Sequence, residues 1–592
     1  MKNFKFFATP LALAGTLLVA STCFGQITPQ IVAVGSSGAF GAAGVAAVTA
    51  DPITSAAAPC GTNFWTGNTN VASGLDDRSA GIPAEPGKIW VAWNGNGTSG
   101  STTIICAYLS VDSVVGQRLF FSQHQSPTTG GQVNGILQLS STAVGAAGGG
   151  LISYVTDNAT MTSFVQQSLN GQQFNVAFTD IRPEDAQYFN IRAQCSPADA
   201  NAQCLGYGPF PVGTAIQSAY SINTATGLQN SAQVVQYNIN GDDPISEYPI
   251  PAFTTIPVGA QAVMHVYNVS DTSSGGFGSL LPTNVHSHVL ALIYAGFLGS
   301  TVDLTGTQGV TGKGIHVMLR EPTSGTMNTF EWQIVRAKGV DLSQEWNVRY
   351  GTNANCSSFT ASPNPATYVT PVTSGPCTNP LYLPGPSSSF RARTIGSGEE
   401  VNATNSANNP NALGYAFWSF ANFGGKANLR YLKLDGVDPL SLATFTGAFP
   451  TCTGTANTGS GLVCQATPLT NLQQGNYRNW NVLRATIYNT YVAPSVGPSV
   501  QAFIQSAQDS AEKTVFDFVP TTYCANAGCS STVNNLPVFK SHYVLPNQGI
   551  NAADGTHGEA ESGGDVLGAV FTIQADVDYF NTTGTELTEF LQ

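Results

Sequence analysis

The residues best suited to chemistry are one arginine and the small-residue step that follows it. In "LREPTSGTMNTF" (319–330) an apolar, β-branched run through Ile315, Val317, Met318 and Leu319 ends in Arg320, and Ser324-Gly325-Thr326 then precedes a helical pattern. A helix N-terminus presents unpaired N–H groups and partial positive charge, and glycine admits an anion close to the backbone. Serine and threonine hydroxyls add donors, and the planar guanidinium fork matches a tetrahedral oxyanion. The same residues also fit a plain strand-to-helix turn in which Ser324 is an N-cap.

Three further segments bear on that chemistry. "VAVGSSGAFGAAG" (32–44) is a strand running into small residues, with Gly35 and Gly38 freeing backbone amides around Ala39 and Phe40. "WNGNGTSGST" (93–102) repeats the pattern, with Thr98 and Ser99 as hydroxyl donors. "NVAFTDIRPEDA" (175–186) is an apolar strand ending in Thr179-Asp180. A carboxylate beside an anion site makes sense when the anion carries a proton, because it accepts a hydrogen bond from P–O–H. The alternatives are that glycine-rich turns are common in a chain with 63 glycines, and that Asp180 caps the turn through Ile181–Ala186.

Positioning such groups takes strands with their carboxyl ends gathered along one edge. Strand patterns fall at Ile31–Val34, Lys88–Trp93, Thr103–Leu109, Val176–Phe178, Ala262–Val269, Ile315–Leu319, Val482–Tyr488 and Val566–Ile573. Helical patterns fall at Val285–Phe297, Asn328–Lys338 and Pro498–Glu512. Strands mixed with helices predict an α/β fold. Polar stretches at 110–170, 190–250, 350–395 and 450–475 read as insertions, since loops of that length are uncommon inside compact domains. At 592 residues the chain is expected to hold at least two domains.

Lys2 and Lys5, the apolar run Phe6–Ala20 and small residues up to Gly25 predict a signal peptide, residues 1–25, and hence a periplasmic or secreted protein. Cys23 as a lipidated residue is the alternative, with Ala20-Ser21-Thr22 a poor lead-in. Removing Cys23 from the eleven cysteines leaves ten, an even number suited to an oxidising compartment. Pairing of sequence neighbours is the simplest connectivity: Cys60 with Cys106, Cys195 with Cys204, Cys356 with Cys377, Cys452 with Cys464, and Cys524 with Cys529. These are read as loop staples, because zinc-ligand spacing is absent. Charged residues are only 9% of the chain, against roughly 25% in ordinary soluble proteins. A net charge of −13 with no basic cluster argues against nucleic acid as a partner.

Enzyme signatures are missing: there is no HExxH, GxSxG or strand-to-helix GxGxxG, and a P-loop fails because Thr307 stands where its first glycine belongs. His286-x-His288 is open to metal binding or to a surface or capping role. No catalytic residue, metal site or cofactor is expected.

The order of the four segments resembles the phosphate-binding protein of the ABC phosphate transporter, a type 2 periplasmic binding protein. The matching stretches are Gly35–Phe40, Gly95–Gly100, Thr179-Asp180 and Arg320-x-x-x-Ser324-Gly325-Thr326, with "HVLALIYAGFLGSTVDLTG" (288–306) and "NNPNALGYAFWSFAN" (408–422) also similar. Ala39 stands where the family has a hydroxyl residue, and Pro322 where it has an acid. The resemblance implies a two-lobed α/β fold with a ligand cleft between lobes and disulfide-stapled loop insertions. It implies lobe 1 from 26–258 with a return through 482–592, and lobe 2 from 259–481. Inorganic phosphate or a related oxyanion would be held by Ala39, Phe40, Thr98, Ser99, Asp180, Arg320, Ser324, Gly325 and Thr326. An ABC permease would be the partner of a monomer. The other reading is a secreted surface or matrix protein that keeps the fold without the ligand.

Overall fold

A computed structural model describes residues 29–48, 50–51, 55–68, 88–97, 100–121, 168–169, 172–183, 222–223, 228–229, 250–320, 324–335, 386, 389–394, 396–453, 463–464, 467–473, 476–488, 500–507, 520–522 and 537–539. Among these the strands of the main sheet are β1 (Ile31–Ser36), β2 (Asn63–Asn68), β3 (Lys88–Trp93), β4 (Ile105–Val111), β5 (Val176–Thr179), β6 (Phe253–Asn268), β7 (His316–Arg320), β8 (Phe390–Thr394), β9 (Ala412–Phe417), β10 (Leu429–Tyr431) and β11 (Trp480–Tyr488). The order is β8-β7-β9-β6-β11-β5-β1-β4-β3-β2, with β10 beside β6, so the fold is mixed α/β. The helices used below are α1 (Ser37–Val48), α2 (Ser113–Phe121), α3 (Ser287–Ala295), α4 (Gly325–Phe330) and α5 (Gly396–Asn405).

Strand β1 reads Ile-Val-Ala-Val-Gly-Ser and is buried throughout, as a strand with parallel neighbours on both sides should be. β4 lies parallel on one side and β5 parallel on the other, which sets Ser36, Val111 and Thr179 at the same end. In the other half β7 runs parallel to both β8 and β9.

The halves are joined by β6. Its residues Phe253 to Ala262 pair antiparallel with β11, and from Val263 onward it pairs with β9 instead. Each half has its own core. One packs Ile31, Ala33, Trp90, Tyr108, Phe178 and Phe503; the other packs Val266, Leu290, Tyr294, Val317, Phe330 and Tyr415. Residues 500–507 are helical and lie on the first core, where Ser506 Oγ donates to the Ala46 carbonyl at 3.1 Å.

Several elements differ from the sequence reading. The small-residue run after β1 is the helix α1, although Gly38, Gly41 and Gly44 each disfavour a helix by about 1 kcal/mol relative to alanine. It holds because Ala39, Ala42, Ala43, Ala46 and Ala47 are buried against the first core. The stretch 110–170, read as an insertion, begins with α2, whose Val114, Gln117, Leu119, Phe120 and Phe121 are buried. Likewise β8 lies inside the expected insertion 350–395. The expected helix Val285–Phe297 is α3, with His286 at its N-cap position and Gly296 in the left-handed region at its end. The helix expected from Asn328 starts three residues earlier at Gly325, and passes into a π turn at Glu331–Val335. Strand Val566–Ile573 lies outside the described residues.

Cys60 and Cys106 form a disulfide between the segment after α1 and strand β4. Cys452 and Cys464 face each other in register across a short antiparallel pair. The remaining expected pairs, Cys195–Cys204, Cys356–Cys377 and Cys524–Cys529, lie outside the described residues. No helix among the described residues is long and apolar enough to cross a membrane.

Candidate functional site

Parallel pairing places the carboxyl ends of β1, β4 and β5 together, and each hands its chain to a polar residue: Ser36, Asp112 and Asp180. Close approach there depends on glycine. Gly35 has φ +130, and a Cβ on it would lie 1.9 Å from the Phe178 carbonyl oxygen. Gly116 of α2 lets that helix cross directly over Gly35.

Asp180 is 3% exposed. It accepts hydrogen bonds from the Ser36 hydroxyl and, at 3.3 Å, from Thr326 Oγ1, while its own N–H donates to Ser113 Oγ at 3.2 Å. Burial pushes its carboxyl above the usual carboxylate range, opposed by hydrogen bonds from Ser36 and Ser113, the Arg320 charge and the Thr326 hydroxyl. The turn after it is closed by its neighbour instead: Ile181 N–H donates to Thr179 Oγ1 at 3.2 Å, and Thr179 Oγ1 donates to the Ile181 carbonyl at 2.7 Å. The Asp180 side chain is therefore free of turn duty and points to the other half.

Arg320 ends β7 and is 1% exposed. Its Nη1 donates to Ser397 Oγ at 2.8 Å, Nη2 lies 3.7 Å from Asp112, and Nε lies 3.8 Å from Glu400. Its backbone N–H donates to the Tyr415 hydroxyl at 3.3 Å. Tyr415 belongs to the "ALGY" stretch, and its own N–H donates to Glu400 Oε1 at 2.9 Å. Two acids thus bracket one guanidinium in a nearly dry setting.

Ser324 is the N-cap of α4, its hydroxyl accepting from Met327 N–H at 3.3 Å. Gly325 packs against the first half: a Cβ there would lie 2.5 Å from Ser113 Oγ and 2.7 Å from Asp180 Cβ. Only a residue without a side chain lets α4 come this near Asp180. Ala39 and Phe40 occupy the first turn of α1, and the Ala39 N–H is among the first few of the helix that lack an intrahelical partner. The Phe40 ring stands edge-on to Tyr108 at 5.7 Å, and its carbonyl accepts from Trp90 Nε1 at 3.1 Å.

Asp180, Arg320, Ser324, Gly325 and Thr326 are brought together, with Ala39 and Phe40 in the helix that follows Ser36. The described residues of the "WNGNGTSGST" turn, 93–97 and 100–102, are not among them. Thr98 and Ser99 themselves lie outside the described residues, but the flanking residues close the antiparallel β3–β4 connection, where Trp93 pairs with Ile105. Gln30 at the start of β1 donates to the Ile105 and Thr103 carbonyls there. That is the opposite end of β1 from Ser36, roughly 20 Å away at about 3.3 Å per residue. The reason is direction: β3 runs antiparallel to β4, so the carboxyl end of β3 meets the amino end of β4. Asp112 and Ser113, at the carboxyl end of β4, stand at the site instead. Their signal was present as Asp-Ser ahead of the apolar run Val114-Val115, a helix-start pattern. Ser36, Ser397 and Glu400 were also missed, each being a polar residue next to a glycine or another acid with no distinguishing spacing.

The arrangement sets Ser36, Ser113 and Thr326 against the buried Asp180 carboxyl, with the Arg320 charge close enough to act on it. It supplies donors for a small oxyanion and one acceptor for a proton on it.

No protein-family model matches this chain, and no curated protein sequence matches it. Among solved structures, an ABC-type phosphate transport receptor from Vibrio cholerae is similar at 13% identity and TM-score 0.24, over 43% of this chain and 67% of that one. A phosphate-binding protein from Stenotrophomonas maltophilia is similar at 14% identity and TM-score 0.27, over 67% of this chain and 76% of that one. A high-affinity periplasmic phosphate-binding protein, PfluDING, bound with phosphate, is similar at 12% identity and TM-score 0.27, over 74% of this chain and 84% of that one.

Proposed function

We propose that this chain is an exported solute-binding protein, not an enzyme, that captures inorganic phosphate or a related tetrahedral oxyanion between the two halves of its sheet. The observation that supports this most is the meeting of Asp180 from one half with Thr326 and Gly325 from the other, beside the buried guanidinium of Arg320. Ala39 and Phe40 would donate through the backbone, and Arg320, Ser324, Gly325 and Thr326 through side chains and amides. Asp180 would accept from the anion's proton. In this reading lobe 1 comprises 26–258 and 482–592, lobe 2 comprises 259–481, and the lobes close on ligand by hinge motion. The chain would act as a monomer outside the cytoplasm and pass its ligand to an ABC permease. Titration of the full chain with phosphate in a calorimeter tests the reading; absence of heat and of any thermal stabilisation by phosphate overturns it.

A second reading has one observation behind it. Arg320 already has two acids, Asp112 and Glu400, within ion-pair distance inside the protein. A secreted surface or matrix protein that kept this fold without a ligand would show that arrangement too. The same titration separates the two.

A further inference from the structure

We infer that Gln261 is a further ligand-contacting residue that helps set which oxyanion is preferred, donating through its side-chain amide; this rests on the reading of the site as an oxyanion cleft. Gln261 sits on β6 one residue before Ala262, where that strand leaves β11 and goes on to pair with β9. It therefore belongs to the strand that joins the halves, not to either set of loops.

Its side chain is 2% exposed, and its Nε2 has no hydrogen-bond partner among the described residues. Buried amide donors are satisfied in nearly all proteins, and each exception calls for a reason. The direction of this one supplies it. Oε1 and Nε2 lie 2.7 Å and 2.9 Å from the position a Cβ on Gly38 would take, and Ser36 Oγ lies 3.2 Å from that same position. The amide thus faces the start of α1 across Gly38, on the side where the Ser36 hydroxyl reaches Asp180. Asn481 pairs with Gln261 in register, so both side chains leave the same face of the sheet. Asn481 Nδ2 donates to Thr329 Oγ1 of α4 at 2.9 Å. Adjacent amides on the joining strands therefore address the two helices that frame the site.

An amide N–H donates to an unprotonated oxygen, whereas Asp180 is suited to a protonated one. The pair would select an anion that carries both kinds. The first turn of α1 offers no side-chain donor at Gly38 or Ala39, and Gln261 brings one to Gly38 from β6.

The test is calorimetric titration of inorganic phosphate into the full chain, with melting temperatures measured without phosphate. Gln261→Leu fills a similar volume without a donor, and Gln261→Glu offers a carboxylate in its place. Expected for Gln261→Leu is a loss of about tenfold or more in affinity, the range for a hydrogen bond to a charged group. Its melting temperature without phosphate is expected to hold or rise, because an unpartnered buried donor has been removed. Gln261→Glu is expected to bind more weakly still, with recovery on acidification. Should Gln261→Leu fail to fold, Gln261→Met gives the same comparison. Phosphate binding in Gln261→Leu or Gln261→Met within about twofold of wild type overturns this inference alone. An affinity loss that tracks a lowered melting temperature also overturns it, since that is loss of structure. A wild-type chain that binds no phosphate overturns the oxyanion reading and this inference with it.

Discussion

The guanidinium of Arg320 and the carboxylate of Asp112 lie 3.7 Å apart, and with Thr326 on Asp180 they tie the two halves of the sheet together at the candidate site. Arg320 comes from β7 in one half and Asp112 from the end of β4 in the other. The contact at the site is therefore also a contact between the halves. Glu400 completes the bracket from the first turns of α5 within the same half as Arg320.

Arg320→Ala is expected to act on both affinity and stability. Removing one partner of a buried charge-assisted pair costs roughly 2–5 kcal/mol, so phosphate affinity should fall more than tenfold. Asp112 and Glu400 would each lose the Arg320 contact in a buried setting, and a lowered melting temperature should accompany the change. Unchanged affinity by calorimetry would place any anion site elsewhere.

Asp180 is expected to set the preference for phosphate over sulfate. Phosphate keeps at least one P–O–H to donate near neutral pH, and sulfate has none. Facing sulfate, an ionised Asp180 would meet a sulfate oxygen with like charge and no proton between them, and a missing hydrogen bond to a buried charged group costs roughly 1–3 kcal/mol or more. Discrimination should be about a hundredfold at neutral pH and should narrow on acidification, as the raised carboxyl takes up its own proton and becomes a donor. Asp180→Asn should abolish it, because an amide donates to an unprotonated oxygen at any pH. Equal competition by sulfate in the wild type would remove Asp180 from the site.

Stability without ligand should carry two opposed pH dependences. For Asp180 the folded carboxyl sits above its ordinary 3.8, so the folded state binds the proton more tightly. That contribution is fully present below pH 3.8 and is lost as pH rises through the folded value. His265 is the reverse: burial lowers it from 6.5 to about 3, so its neutral form is the folded one. Its contribution is present above pH 6.5 and is lost as pH falls toward 3, by at most about 5 kcal/mol at 1.36 kcal/mol per unit. Urea melts between pH 3.5 and 7.5 can separate them. Asp180→Asn should raise stability at neutral pH. His265→Gln, which keeps an acceptor for Asn479 Nδ2, should flatten the acid loss. An unaltered acid slope in His265→Gln would assign that loss to other groups.

The Cys60–Cys106 bridge closes 46 residues of sequence separation. Loop-closure entropy for such a span corresponds to about 4 kcal/mol in the chain-entropy account. Replacing both cysteines with alanine should lower the urea midpoint accordingly. Non-reducing peptide mapping should also show Cys452 linked to Cys464, and the other cysteines joined to their sequence neighbours. A bridge such as Cys60 to Cys195 would contradict that order.

What the amino-acid sequence determined by itself was local chemistry. Buried parallel strands such as β1 and β7 are near-continuous apolar runs, so they were legible, and so was the polar residue each one ends on. Arg320 with Ser324-Gly325-Thr326 was legible because an N-cap and a glycine step have fixed spacing along one chain. Strand direction was not legible from any one segment. "WNGNGTSGST" and the Val111-Asp112-Ser113 step both follow an apolar strand, and only the sheet shows that β3 runs antiparallel to β4 while β4 runs parallel to β1. That difference carries one turn away from Ser36 and brings the other beside it. The helix α1 was hidden for a related reason, since its glycines argue against a helix until the sheet buries its alanines. Gln261, Glu400 and Ser397 gained meaning only from the strands and helices that face them, because a hydrogen bond or an ion pair is a relation between positions the chain brings together by folding.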